Sequence, residues 1–164
     1  MSAKAIFDTA PLGAIIQYSD GRAQPPKRFT RKFAAWRRNN GTGQLIRKSL
    51  LILRATGQAP ASFTLHEGDF ASGGTVVLVV HRTYDLTSDL RFWVARTPSQ
   101  ASWRVVQPFG DTTELLHLAE DRAGAEAWLE SNRYTDALIE RAGEVADNLF
   151  PSSALALGAS EGAP

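Results

Sequence analysis

Four apolar segments follow one another between residues 62 and 107: residues 62–67, 75–80, 90–96 and 102–107. The connections between them hold seven, nine and five residues. Joining parallel strands takes a crossover of about a dozen residues or more, so this stretch predicts antiparallel neighbours. Phe63 and Leu65 alternate with polar residues, as on a half-buried strand. Residues 75–80 (TVVLVV) are apolar at almost every position, which predicts a strand covered on both faces. Small residues at 68–74 and the Thr97-Pro98-Ser99 turn separate the segments.

Further strands extend the pattern. Residues 12–18 read as one, closed by Ser19-Asp20-Gly21. Residues 44–55 fit neither period cleanly and suit a strand or a short helix, with strand the preferred reading. Residues 114–119 are another candidate, although Asp111 to Glu114 also matches a helix capping box, and periodicity does not separate the two.

One helix stands before this series, over residues 25–40. Phe29, Phe33 and Trp36 share one face at i, i+4 and i+7, which assigns them to the core. Lys27, Arg31 and Arg38 take the opposite face, with Arg28, Lys32 and Arg37 on the flanks. Pro25 and Pro26 suit its first turn, and Asn39-Asn40-Gly41 its end, through a left-handed cap. Near the other end of the chain, Asp121 is placed to cap a helix to about Ser131 with Ala125, Trp128 and Leu129 on one side. A second helix from Thr135 is expected on the stripe Leu138, Ala142, Val145 and Leu149, stopped by Pro151.

The expected fold is α+β: a mostly antiparallel sheet of about five to seven strands, one basic N-terminal helix, and one or two C-terminal helices. Residues 1–150 are expected to form a single domain and 151–164 a disordered tail. With 43% apolar and 21% charged residues the chain is of ordinary globular composition. No apolar run approaches the roughly 20 residues of a membrane helix. The first residues lack the apolar core of a secretory signal, so a cytoplasmic protein without a membrane partner is expected. The absence of cysteine excludes disulfides, thiolate metal sites and thiol nucleophiles.

A net charge of +1 conceals a strong asymmetry. Residues 1–60 hold eleven Lys/Arg against Asp8 and Asp20, a net of +9; the remainder sets seven Arg against fifteen Asp/Glu, a net of −8. Lys and Arg neutralise phosphates whatever the base sequence. The candidate nucleic-acid-binding residues are therefore Arg22, Lys27, Arg28, Arg31, Lys32, Arg37, Arg38, Arg47 and Lys48, with backbone donors from Asn39 to Gly43. The competing expectation is that acids of the closing helices cover this stripe.

Catalytic signals are sparse. Gly41-Thr42-Gly43 follows a helix and lacks a Lys-Ser/Thr pair, so it is not a phosphate loop. His66, Glu67, Asp69, His81 and Asp85 form the histidine–carboxylate clusters, without paired metal-ligand spacing. His117 lies in an apolar segment and reads as a partly buried side chain. No serine stands in a nucleophile elbow. A non-enzymatic module that contacts nucleic acid or another polyanion is the leading expectation, with no catalytic residue, metal or cofactor. A protein-interaction or inhibitor module of the kind carried by bacterial mobile elements is the alternative. A metal-dependent nuclease or other hydrolase using His66 and His81 is the third.

Overall fold

The computed structural model describes residues 1–50, 52–54, 57–110 and 112–143. Among them lie three helices and ten strands: α1 (Ala3–Thr9), β1 (Ile15–Ser19), α2 (Thr30–Asn39), β2 (Gly41–Ser49), β3 (Ile52–Arg54), β4 (Gly57–Ala59), β5 (Ser62–Ser72), β6 (Thr75–Asp85), β7 (Arg91–Arg96), β8 (Trp103–Phe109), β9 (Thr112–Ala119), α3 (Arg122–Asn132) and β10 (Leu138–Arg141). The α+β class holds, with one strand more in the main sheet than the upper expectation.

Eight strands form one sheet in which every pairing is antiparallel; β3 and β4 form a separate hairpin. The sheet runs β10-β8-β9-β2-β1-β7, and β5 with β6 joins it along β2. Strand β2 is the hub. Gln44 pairs with Ile15 on one edge and His66 on the other, and Arg47 with Glu114 and Thr64. Leu45 and Ile46 are both buried and enter different clusters, as neighbours on a pleated strand must. The main core joins Ile6, Ile16, Leu45, Phe63, Leu65 and Phe92. A smaller one places Val105 and Ala119 against Ala125 of α3.

Gly41-Thr42-Gly43 proves to be strand, not turn, and pairs with Tyr18, Gln17 and Ile16. A Cβ on Gly41 would lie 2.5 Å from the Tyr18 hydroxyl, and one on Gly43 would lie 2.8 Å from the Leu65 Cβ. The glycines serve close packing of side chains over β2.

The apolar run at 75–80 is not covered on both faces. Pairing of β2 with β5 ends at His66, so beyond it β5 and β6 continue as a two-stranded arm. The arm turns at Gly73 and Gly74, both at positive φ, and leaves Phe70 and Val76 to Val79 between 47% and 64% exposed. Nor does a helix start at Thr135. Arg133 ends α3 in the left-handed conformation, and the chain then pairs along the open edge of β8, Leu138 opposite Val106 and Arg141 opposite Trp103. Ile139 packs inward while Leu138 faces out, the period of a strand. The proposed stripe residues Val145 and Leu149, Pro151 and the expected tail lie outside the described residues.

α3 is as expected, with the Asp121 carboxylate accepting from the Gly124 amide at 2.7 Å. Residues 114–119 are strand, which decides against the capping box. No helix is long and apolar enough to cross a membrane among the described residues.

Candidate nucleic-acid interface

The basic helix is shorter than its sequence pattern. It begins at Thr30, so Lys27, Arg28 and the two prolines belong to the turn before it. Phe29 occupies the cap position without a capping hydrogen bond from its side chain. Its other end is well tied. The Asn40 amide donates to the Trp36 carbonyl at 2.9 Å and to Asp20 at 3.0 Å, and its oxygen accepts from the Ser19 hydroxyl. Asn40 itself is extended, so a side-chain clasp closes this helix and the expected left-handed cap is absent. The Arg82 guanidinium reaches the Arg38 carbonyl, and the Trp36 indole donates to the Arg22 carbonyl at 2.9 Å.

Nothing on α2 is buried. The assignment of Phe29, Phe33 and Trp36 to the core is therefore wrong. Phe29 is 45% exposed, with the Arg28 guanidinium 5.0 Å and the Lys32 ammonium 5.7 Å from its ring centre. Phe33 and Trp36 stack on each other, 6.1 Å apart and 23° from parallel. The physical reason is that β1 and β2, which flank α2 in the chain, fill their inner face from α1 and from β5, β6 and β7. The apolar side of α2 finds no vacant core to enter.

Lys27, Arg28, Arg31, Lys32, Arg37 and Arg38 are all exposed, and none has an ion-pair partner among the described residues. Four of the acids expected to cover them are occupied elsewhere. Glu114 pairs with Arg47, Glu140 with Arg104 and Glu126 with Arg122, while Asp121 caps α3. Glu144 and Asp147 lie outside the described residues. Arg22 sits 3.8 Å from Asp20. The Asn40 amide and the Arg22 backbone hold the Asp20 carboxyl below its ordinary range, so this acid stays charged. A cavity of about 310 Å³ lies between α2 and the preceding loop, lined by Asp20, Arg22, Pro25, Lys32, Trp36 and Asn39 among others.

Arg47 and Lys48 do not widen the patch. Arg47 lies over the Phe109 ring at 3.8 Å and is nearly buried against Glu114, and Lys48 approaches the Phe7 ring of α1. Arg82 went unnoticed in the sequence, because only the fold brings the base of the β5–β6 arm beside the end of α2. It pairs with Glu67 at 3.4 Å and hydrogen-bonds the Tyr18 hydroxyl.

The histidine pair lies in another cleft. His66 and His81 face each other across β5 and β6, ring centres 5.5 Å apart, beside Asp69 and Glu114 in a cleft of about 400 Å³. His66 bonds Asp69 at 2.9 Å, and burial is the main cause that lowers the His81 pKa. Among the described residues no three of His, Asp and Glu are placed to hold a metal ion. His117 is partly buried and stacks on Trp128 at 4.9 Å, and Tyr134 stacks on the same indole at 5.6 Å.

Residues 1–147 match the family model described as Uncharacterised conserved protein UCP036055, and the chain belongs to that family. Searches of curated proteins and of solved structures return no match.

Proposed function

We propose that this protein contacts nucleic acid through the turn and helix spanning residues 27–38. One observation carries the reading: six cations lie there within twelve residues, all exposed and none neutralised by a described carboxylate. A helix with no fully buried residue contributes little to the core, which leaves its cationic side chains to serve a ligand. The acceptor of greatest chemical fit is a chain of phosphates, whose neutralisation releases counterions. The test is a salt titration of binding to single-stranded and duplex DNA and RNA. If all six cations meet phosphates, affinity falls on the order of 10³-fold between 50 and 200 mM salt. No binding to any of them at about 50 mM salt would overturn the reading.

A protein-interaction role is the second reading, favoured by the exposed apolar arm at Phe70 and Val76 to Val79. Val77→Asp would then abolish a partner that survives nuclease treatment of a lysate, while nucleic-acid affinity stays unchanged. A partner lost with the nucleic acid would count against it.

A further inference from the structure

We infer that the ligand of this surface is a single-stranded nucleic acid, whose bases stack on Phe29 and on the Phe33–Trp36 pair. The inference rests on the phosphate-binding reading of the same helix and adds what lies between the phosphates. It starts from the aromatic rings that α2 keeps out of the core. Phe29 is nearly half in water, with the Arg28 and Lys32 cations 5.0 and 5.7 Å from its ring centre. Phe33 and Trp36 are already stacked and half-buried. The three aromatic rings are flanked by Arg28, Lys32 and Arg37, so one side of the helix offers cations and base-stacking faces together, as single-strand binding requires.

A duplex would leave those rings idle. Its bases are paired and stacked inside, and it offers outward only phosphates and groove edges. Spacing points the same way. Phe29 and Trp36 are seven residues apart, about 10 Å along a helix axis. That is about three times the 3.4 Å rise between stacked bases of one duplex strand. Rings so placed serve bases that have been drawn apart, which a flexible single strand permits.

The cavity beside Trp36 extends the argument. Its lining combines the Trp36 indole with Lys32, Asn39, Arg22 and the charged Asp20. An aromatic ring together with donors and an acceptor suits a splayed base lying against the ring. The Trp36 indole N–H is already committed to the Arg22 carbonyl, which fixes the ring plane before any ligand arrives. A paired base could reach this cavity only after being flipped from its stack.

The experiment is fluorescence anisotropy with end-labelled 20-nucleotide homopyrimidine DNA, the equivalent RNA, and a duplex of the same length, at about 50 mM salt. The single strands are expected to bind at least tenfold more tightly than the duplex. Phe29→Ala and Trp36→Ala should each weaken single-strand binding by about five- to hundredfold. They should leave duplex binding and the salt slope unchanged, because the phosphate contacts remain. Trp36→Phe keeps a ring in place and should retain most of the affinity, with an unaltered thermal melt as the control for folding. A preference between DNA and RNA assigns the sugar and supports the inference either way. Duplex binding as tight as single-strand binding, or no effect of Phe29→Ala, overturns the inference and leaves phosphate contact standing. Failure of all three ligands to bind sinks both.

Discussion

α1 is seven residues long and completely buries Ala3 and Ile6, whereas α2 is ten residues long and buries none. Both flank β1 in the chain. α1 is capped by Ser2, lies against the sheet's inner face, and is tied to β7 where the Phe92 amide donates to the Met1 carbonyl at 3.0 Å. α2 is held at its C-terminal end by polar bonds to Asn40, Arg82 and Arg22, with cations around the rest. The difference teaches that an amphipathic pattern marks a helix without saying what its apolar side meets. Helical stability in proteins comes mostly from packing. Here that packing belongs to the shorter helix, and the longer one is available for a ligand.

The contrast predicts that damage to the two helices separates cleanly. Ile6→Ala should cost about 2–5 kcal/mol of unfolding free energy, read from urea titrations, with no change in the affinity of the folded fraction. A loss below about 1 kcal/mol would mean that α1 is not the anchor described. The double variant Arg31→Glu/Arg38→Glu should do the reverse. Stability stays within about 0.5 kcal/mol, while affinity for nucleic acid at 50 mM salt falls on the order of a hundredfold. Equal loss of stability in both variants would erase the distinction.

Asn40→Ala tests the clasp. Removing its bonds to Asp20, Ser19 and the Trp36 carbonyl should cost about 1–2 kcal/mol. Hydrogen exchange should quicken along α2 and stay slow at Ile6. The smallest effect expected is with pH. The folded Asp20 pKa lies below its unfolded value, so the unfolded chain binds the proton more readily. The contribution of Asp20 is therefore fully present above the ordinary carboxylate range and fades as pH falls through the depressed pKa. The Trp36 indole N–H resonance should shift over that window, with no matching shift at the Ile6 methyl groups. Simultaneous movement of both would show that the helices are coupled.

Much of the sheet was legible because strand signals are local. Phe63 and Leu65 alternate with polar neighbours and face the core as expected, and Asp121 caps α3 through its own carboxylate. Other segments misled for identifiable reasons. Leu138 and Ala142 fit a helical stripe, but the open edge of β8 supplied backbone partners and Ile139 an inward side chain, so a strand formed. The run at 75–80 satisfied the pattern of a buried strand. Pairing of β2 with β5 ends at His66, so the β5–β6 arm runs on beyond the rest of the sheet and its apolar run stays exposed.

The candidate surface divides in the same way. Six cations between residues 27 and 38, and the lack of any acid from 21 to 66, are properties of the sequence alone. Charge and spacing along a helix follow from residue identity and helical geometry. Whether acids cover the cations, and whether Phe29 and Trp36 lie inside or out, depends on contacts between segments far apart in the chain. Glu114 went to Arg47, Glu140 went to Arg104, and α1 took the place against the sheet. Those competing pairings left α2 its charge and its rings, and only the tertiary structure could decide them.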